Sequence, residues 1–325
     1  MPLDPQIQAM RDRRVEAAAP QLYTLSLAEA RAADLASIQA EAHDPEPVHE
    51  VADRVLPAAG RGIPVRVYRP SPARALPTLL YFYGGGWTLG GLDTCDGICR
   101  TLANLAGVQV VSVGYRLAPE HRFPAAVEDC RDALRHIADH PADFGTEAGA
   151  LAVGGDSAGG NLAAVAALLA REDRLSLAGQ LLVYPNTDQL ALDGSMRENV
   201  DPWLFNHRSV SWYREHYLAD QADATNPLAS PLLAPDLAGL PPALVITAEY
   251  DPLRDQGEAY ARRMAAAGVS VELTRYEGMV HGFFTMTGAV DAARHAVAQA
   301  AGALRGWFGL EPVGSPTAHQ PESVA

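Results

Sequence analysis

Short apolar runs alternate with segments of helical spacing along most of this chain. The densest runs, at 77–83 and 108–113, predict strands that are buried on both faces of a sheet. The remaining predicted strands are at 150–154, 179–184, 243–248 and 270–276, and predicted helices are at 124–140, 158–170, 254–267 and 289–308. Strands that alternate with helices indicate an α/β fold, with a mostly parallel sheet of about eight strands and helices on both faces.

Three segments depart from this alternation. Residues 1–45 have helical spacing, and Ser26 followed by Glu29 predicts a helix that begins with a capping box. Residues 48–68 alternate apolar and polar side chains like two edge strands joined by a turn. Residues 187–225 are rich in Asp, Asn, Trp and Tyr, and we expect an insertion above the carboxyl edge of the sheet. This insertion is predicted to pack with the N-terminal helices as a cap.

Composition narrows the possible partners and location. The net charge of −14, without a basic stripe, argues against a nucleic-acid partner. All 25 basic residues are arginine, which excludes a phosphate-loop lysine, a Schiff base and a Ser-Lys dyad. The three cysteines are too few for a secreted disulfide framework, and no apolar run reaches the ~20 residues of a membrane span. With no signal-peptide pattern at the start, we expect a cytoplasmic protein without a membrane span.

The stretch from Leu151 to Leu162 carries the strongest chemical signal. It reads LAVGGDSAGGNL, an apolar strand followed by a sharp turn with Ser157 at its tip and then an Ala-rich helix. This is the setting of a G-x-S-x-G nucleophile elbow, in which glycines permit the tight turn. A serine hydroxyl is a weak nucleophile unaided, so Ser157 requires a base, an acid that orients the base, and donors for an oxyanion.

Candidates for the acid and the base follow in the order Ser, Asp, His. Asp251 comes after the predicted strand 243–248, and His281 comes just past the predicted strand 270–276. Both therefore belong to the sheet edge that carries the elbow. Glu249 and Asp255 are competing acids, and Asp251 is favoured because Asp255 begins the next helix, where the helix dipole stabilises a carboxylate.

A glycine loop supplies candidate oxyanion donors. Tyr83 to Trp87 reads YGGGW at the end of a buried strand, and consecutive glycines let backbone amides approach a ligand. Gly85 and Gly86 are the candidate donors in this loop. The amide of Ala158, next after Ser157 and at the start of a helix, is the remaining candidate.

Several motifs in a defined order resemble the hormone-sensitive-lipase family of carboxylesterases, bacterial family IV of the α/β-hydrolase superfamily. They are Gly84–Trp87, Gly114–Glu120, Gly155–Gly160, Asp251–Leu253 and His281–Phe283. The resemblance implies that Ser157 is the nucleophile, His281 the base and Asp251 the orienting acid, with Gly85, Gly86 and Ala158 as oxyanion donors.

The same resemblance implies a domain plan and an activity. Residues 1–45 contribute to a cap, 46–310 form the catalytic α/β-hydrolase domain with a cap insertion near 187–225, and 311–325 form a disordered tail. The expected reaction is hydrolysis of short- to medium-chain acyl esters through an acyl-enzyme, with no cofactor and no metal. The expected partner is a small-molecule ester, and a homodimer is possible in this family.

Tyr83 departs from the family pattern, which has histidine before the glycines. We expect Tyr83 to leave hydrolysis intact and to reshape the acyl or alcohol pocket. Aromatic candidates for lining an apolar substrate pocket are Tyr83, Trp87, Trp203, Phe205, Trp212 and Phe283. Cys95 and Cys99 have a CxxxC spacing without a second ligand pair nearby, so packed thiols are favoured over zinc.

Two other functions remain open at this point. One is a recruited activity on the same fold, such as a dehydratase, cyclase or acyltransferase of specialised metabolism, and Tyr83 is the feature that favours it. The other is a small-molecule receptor. Receptors related to this family lose the histidine base, so the presence of His281 argues against that function.

Overall fold

Eight strands form one sheet in the part of the chain that the computed structural model describes, residues 2–58, 60–192 and 194–311. The strands are β1 (Glu50–Ala58), β2 (Arg61–Arg69), β3 (Leu76–Phe82), β4 (Gln109–Val113), β5 (Thr146–Asp156), β6 (Gln180–Val183), β7 (Ala243–Tyr250) and β8 (Val271–Val280). Their order across the sheet is β1-β2-β4-β3-β5-β6-β7-β8. β1, β2 and β4 pair antiparallel, whereas the pairs from β4 through β8 are parallel.

The helices cover this sheet. They are α1 (Pro5–Glu16), α2 (Leu27–Glu41), α3 (Asp96–Ala106), α4 (Ala125–Asp139), α5 (Pro141–Phe144), α6 (Ala158–Glu172), α7 (Ser195–Glu198), α8 (His207–Tyr217), α9 (Arg254–Ala266) and α10 (Asp291–Trp307). Every residue of β3 and β4 is buried, so both faces of the central sheet are covered, as the dense apolar runs predict. The predicted α/β fold with a mostly parallel eight-stranded sheet is therefore confirmed.

Helix α3 is not among the elements predicted above. Its buried side chains, which recur at helical spacing, are Ile98, Cys99, Leu102, Ala103 and Ala106. Gly107 then ends the helix with a left-handed backbone at φ 67°. The sequence analysis favours packed thiols at Cys95 and Cys99, and in the structure Cys99 lies on the buried face of this helix while Cys95 is its buried N-cap residue.

The N-terminal helix α2 begins and is anchored by polar contacts. Ser26 and Glu29 form the predicted capping box, since each side chain accepts a hydrogen bond from the other residue's backbone amide. Arg31 then donates to the Thr88 carbonyl at 3.0 Å and forms a bidentate pair with Glu120, with both contacts at 2.8 Å. These contacts attach α2 to the loops that follow β3 and β4.

The remaining predictions concern the insertion and the tail. The segment 187–225 contains α7 and α8 and no strand in the residues described. Of the predicted tail, residues 312–325 lie outside the described residues. Across the described ranges, no helix is both long and apolar enough to cross a membrane.

Candidate active site

Ser157 stands on the sharp turn between β5 and α6. Its backbone has φ 56° and ψ −117°, a conformation that is strained for a residue with a side chain. Gly155 and Gly159 leave space for this turn, because a Cβ atom at either position would overlap the carbonyl oxygen of Phe82 on β3. The strand, the strained serine and the close-packed glycines are the geometry of a nucleophile elbow.

Ser157, His281 and Asp251 form one hydrogen-bonded chain. The Ser157 Oγ atom lies 2.9 Å from His281 Nε2, and His281 Nδ1 lies 2.7 Å from Asp251 Oδ2. The second oxygen of Asp251, which is fully buried, accepts from the Leu253 amide at 2.7 Å. With the Nδ1 proton donated to Asp251, Nε2 is free to accept the serine proton.

Two aromatic rings hold the imidazole of His281. Phe205 stacks on it with ring centroids 4.1 Å apart and an interplanar angle of 20°. Tyr184, the residue after β6, contacts it with centroids 4.6 Å apart. Phe205 belongs to the segment 187–225, so this segment reaches the histidine directly.

The competing acids have other partners. Glu249 accepts from the Gly278 amide at 2.7 Å. Asp255, in the first turn of α9, accepts from the Ser195 amide and from the Arg254 guanidinium, each at 2.8 Å. Asp251 is the carboxylate hydrogen-bonded to the imidazole, as the sequence interpretation favoured.

The glycine loop after β3 has the backbone freedom that its sequence indicates. Gly85 and Gly86 have φ of 109° and 58°. The amides of Gly85, Gly86 and Ala158 donate to no atom of the described residues. Gly85, Gly86 and Ser157 line one cavity, and Ala158 begins α6, whose N-terminus carries a partial positive charge. The arrangement can hold an anion beside the serine.

Asp156 is hydrogen-bonded to the start of the glycine loop. Its Oδ1 atom accepts from the Tyr81 hydroxyl at 2.8 Å and from the Gly84 amide at 3.1 Å. Burial raises the pKa of Asp156, and the hydrogen bond from Tyr81 opposes that rise. Asp156 therefore connects the nucleophile turn to the glycine loop.

A cavity of about 580 Å³ lies above Ser157 and His281. Its lining comes in part from the N-terminal segment through α2 and in part from α8 and the loop before it. Among the aromatic candidates, Tyr83, Phe205 and Trp212 line the cavity. Four further aromatic residues, Tyr23, Tyr81, Tyr184 and Tyr213, also line it.

The structure does not bring Trp87, Trp203 or Phe283 to this cavity, which revises the substrate-pocket expectation for them. Trp87 is buried and stacks on Tyr217 with ring centroids 4.0 Å apart. Phe283 is fully buried. Trp203 is partly exposed in the loop before α8. Aromatic side chains of these types are as useful for core packing as for a pocket, so residue type alone does not separate the two.

Tyr83 forms a reciprocal pair with Tyr115. Their rings stack with centroids 4.4 Å apart, and the Tyr115 hydroxyl donates to the Tyr83 carbonyl at 2.8 Å. The Tyr83 hydroxyl donates to the Tyr115 carbonyl at the longer distance of 3.4 Å. The first residue of the glycine loop is therefore held by a stacked phenol pair.

The cysteines are packed thiols. Cys95, Cys99 and Cys130 are buried and free, and burial raises the pKa of the Cys99 and Cys130 thiols. The described residues contain no group of three or more His, Cys, Asp or Glu side chains that could hold a metal ion.

The fold and the elbow define an α/β hydrolase. The family profile described as "alpha/beta hydrolase fold" matches residues 79–285. Carboxylic ester hydrolase LipN of Mycobacterium tuberculosis is 46% identical over 244 residues, which cover 73% of this chain and 65% of LipN. The chain therefore belongs to the hormone-sensitive-lipase-like family of carboxylesterases within the α/β hydrolases.

Two further relatives match more of their own length. The arylesterase of Saccharolobus solfataricus is 39% identical over 284 residues, covering 87% of this chain and 92% of that protein. The solved structure of the ester hydrolase EH1AB1 from the Lake Arreo metagenome, in complex with a bipyridine phosphonate derivative, superposes with a TM-score of 0.91. It is 40% identical in sequence, and the match covers 94% of this chain and 99% of that one.

Proposed function

We propose that this protein hydrolyses short- to medium-chain carboxylic esters through an acyl-enzyme intermediate on Ser157. The observation that carries the proposal is the hydrogen-bonded chain from Ser157 through His281 to Asp251 at distances of 2.9 and 2.7 Å. Support also comes from the relatives, which are named as carboxylic ester hydrolases and an arylesterase.

The first half of the reaction forms the acyl-enzyme. Ser157 Oγ attacks the ester carbonyl carbon while His281 Nε2 takes the hydroxyl proton, and Asp251 stabilises the resulting imidazolium. The negative charge on the carbonyl oxygen is stabilised by the amides of Gly85, Gly86 and Ala158. The bond between the carbonyl carbon and the alcohol oxygen then breaks, and the imidazolium gives its proton to the departing alcohol.

The second half repeats these steps with water. His281 takes a proton from a water molecule as its oxygen attacks the acyl carbon, and the same amides stabilise the second oxyanion. The bond between the acyl carbon and Ser157 Oγ breaks, the serine recovers its proton from His281, and a carboxylic acid leaves. All of these reaction steps use side chains and backbone amides of the chain itself, so they require no cofactor.

The cap, the location and the oligomeric state belong to the same proposal. Residues 1–45 and 187–225 are proposed to act together as a cap, supported by the lining residues that both contribute to the cavity and by the apolar cluster that their side chains share. A cytoplasmic location and a homodimer stay proposals. Cell fractionation tests the first, and light scattering of the purified protein tests the second.

The experiment uses p-nitrophenyl acyl esters of increasing chain length with the wild type, Ser157→Ala and Ser270→Ala. Ser270 is exposed before β8 and serves as the matched control. We expect Ser157→Ala to lower kcat by about 10⁴-fold or more, and Ser270→Ala to keep the wild-type rate. A fluorophosphonate probe should add its mass to the wild type and not to Ser157→Ala. Equal labelling of both proteins would refute Ser157 as the nucleophile.

A further inference from the structure

Asp34 is an unpaired carboxyl group in the wall of the cavity. It lies on α2, is half-buried, and lines the same cavity as Ser157 and Gly86. Its Oδ2 atom is inaccessible to water and has no hydrogen-bond partner. No donor or cation among the described residues contacts either oxygen of this carboxyl group.

The two other carboxyl groups of the cavity are compensated by the protein. Asp156 accepts from Tyr81 and Gly84, as described above. Burial raises the pKa of Glu41, and the positive charge of Arg14 opposes that rise. Asp34 has no comparable partner within the protein. It is therefore the carboxyl group of this lining that is left to interact with a bound ligand.

The environment of Asp34 makes its isolation costly. Burial, followed by the negative charge of Asp156, raises the pKa of Asp34 to about 7. An apolar side chain at position 34 would avoid that cost. The same face of α2 already buries an apolar residue one turn earlier, since Ala30 is fully buried. A group that weakens the fold and contacts no protein partner is typical of a functional position.

Asp34 is also close to the glycine loop. The Tyr213 ring packs over Gly86 so closely that a Cβ atom there would overlap the ring. Burial and then the negative charge of Asp34 raise the pKa of the Tyr213 phenol. Gly85 and Gly86, the candidate oxyanion donors of the loop, line the same cavity as Asp34.

We propose that Asp34 is a specificity-determining residue that binds an alkylammonium group of the substrate. This inference rests on the proposed ester hydrolysis. Three carboxyl groups and one guanidinium line the cavity in the described residues, a balance that favours a cationic ligand. The aromatic rings of Phe205, Trp212 and Tyr213 in the same lining add faces that attract a cation.

The test compares esters that differ in one charge. On the acyl side, the pair is the p-nitrophenyl ester of trimethylammoniobutanoic acid and its isostere with a tert-butyl group in place of the ammonium. On the alcohol side, the pair is acetylcholine and the corresponding tert-butyl isostere, dimethylbutyl acetate. The measured quantity is the ratio of kcat/KM for the cationic member to that for the neutral member. Two pairs are needed because the ammonium group can be on either side of the ester.

We expect the wild type to prefer the cationic member of one pair, and Asp34→Asn to lower that ratio by about tenfold or more, because it removes the attraction between the carboxylate and the quaternary ammonium charge. Asp34→Glu should restore part of the preference. Glu41→Gln, which removes a carboxyl group that the charge of Arg14 already compensates, should lower the preference much less than Asp34→Asn does. A ratio that favours the neutral member in both pairs, or one that Asp34→Asn leaves unchanged, would overturn the assignment.

The pH dependence of the ratio gives a second measurement. The Asp34 carboxyl group ionises as pH rises through about 7, so the preference for the cation should increase over that range. The catalytic groups act on both esters alike, so their own pH dependence cancels in the ratio. The titratable side chains that line the cavity with Asp34 are Arg14, Glu41, Asp156, His281, Cys95, Tyr23, Tyr81, Tyr83, Tyr184 and Tyr213. A ratio that is independent of pH would contradict an ionising carboxylate as the ligand for the cation.

Separate controls are needed for the folding of the variants and for the hydrolysis reaction itself. Asp34→Asn removes an unpaired buried carboxyl group, so it should unfold at the wild-type temperature or above. A lower unfolding temperature would assign Asp34 a structural role and overturn the proposal. If the wild type fails to hydrolyse the neutral esters, the proposed ester hydrolysis fails. If it hydrolyses them without a charge preference, the Asp34 assignment fails alone.

Discussion

Replacing Asp251 with asparagine tests how the carboxylate controls His281. Asp251 uses its two oxygens separately, since Oδ2 faces His281 Nδ1 at 2.7 Å and Oδ1 accepts from the Leu253 amide at 2.7 Å. Asparagine has one oxygen and one NH₂ group, so it can satisfy only one of these donors. If its oxygen stays with Leu253, its NH₂ group faces Nδ1. The imidazole must then carry its proton on Nε2 and cannot accept the proton of Ser157.

The magnitude follows from two contributions. The productive orientation leaves the buried Leu253 amide without an acceptor, which costs about 1–3 kcal/mol. Losing the charged acceptor of the imidazolium costs about 1.5–3 kcal/mol more. Together these amount to about 2.5–6 kcal/mol, so kcat/KM should fall by about 10²- to 10⁴-fold.

The assay is hydrolysis of p-nitrophenyl acetate by the wild type, Asp251→Asn and Asp255→Asn. Asp255 contacts Ser195 and Arg254 rather than His281, so its variant controls for a general effect of losing a carboxylate near this loop. We expect Asp255→Asn to retain activity within about tenfold of the wild type, since the proton pathway is intact. A loss of less than tenfold in Asp251→Asn, or equal losses in both variants, would refute the tautomer argument.

Two further perturbations concern the glycine loop. Asp156→Ala removes the acceptor of both Tyr81 and Gly84, so the free energy of unfolding should fall by about 2–4 kcal/mol and kcat should fall more than KM rises. Asp156→Asn keeps an oxygen at this position, so its losses of stability and activity should be smaller. Thermal unfolding and steady-state kinetics measure both variants. Tyr83→His removes the stacked contact with Tyr115, so the preference among p-nitrophenyl esters of different chain length should change. An unchanged chain-length profile would contradict a role for Tyr83 in shaping the pocket.

Most of the fold could be predicted from local patterns. Strands β3 and β4 are buried at every position and therefore appear in the sequence as continuous apolar runs. The capping box at Ser26 and Glu29 was recognisable because its donors and acceptors lie three residues apart. Helix α3 was not predicted, although its buried residues recur at helical spacing between Asp96 and Gly107.

The order of Ser157, Asp251 and His281, each just past a predicted strand, was enough to predict that they meet. Parallel strands end at the same edge of a sheet, so position along the chain translates directly into position in space. The glycine loop follows the same rule. For these groups, the backbone path sets the geometry.

The cavity walls depend on contacts between distant parts of the chain. Trp87 packs on Tyr217 while Trp212 faces the cavity, and nothing in their residue type distinguishes the two. Asp34 is a polar residue on an N-terminal helix, ordinary in sequence. Its surroundings depend on how α2 packs against distant parts of the chain, as Ala30 of the same helix packs with Leu89 and Tyr213. Side-chain burial and charge compensation depend on such neighbours, so they emerge only when the helices and loops are assembled around the sheet.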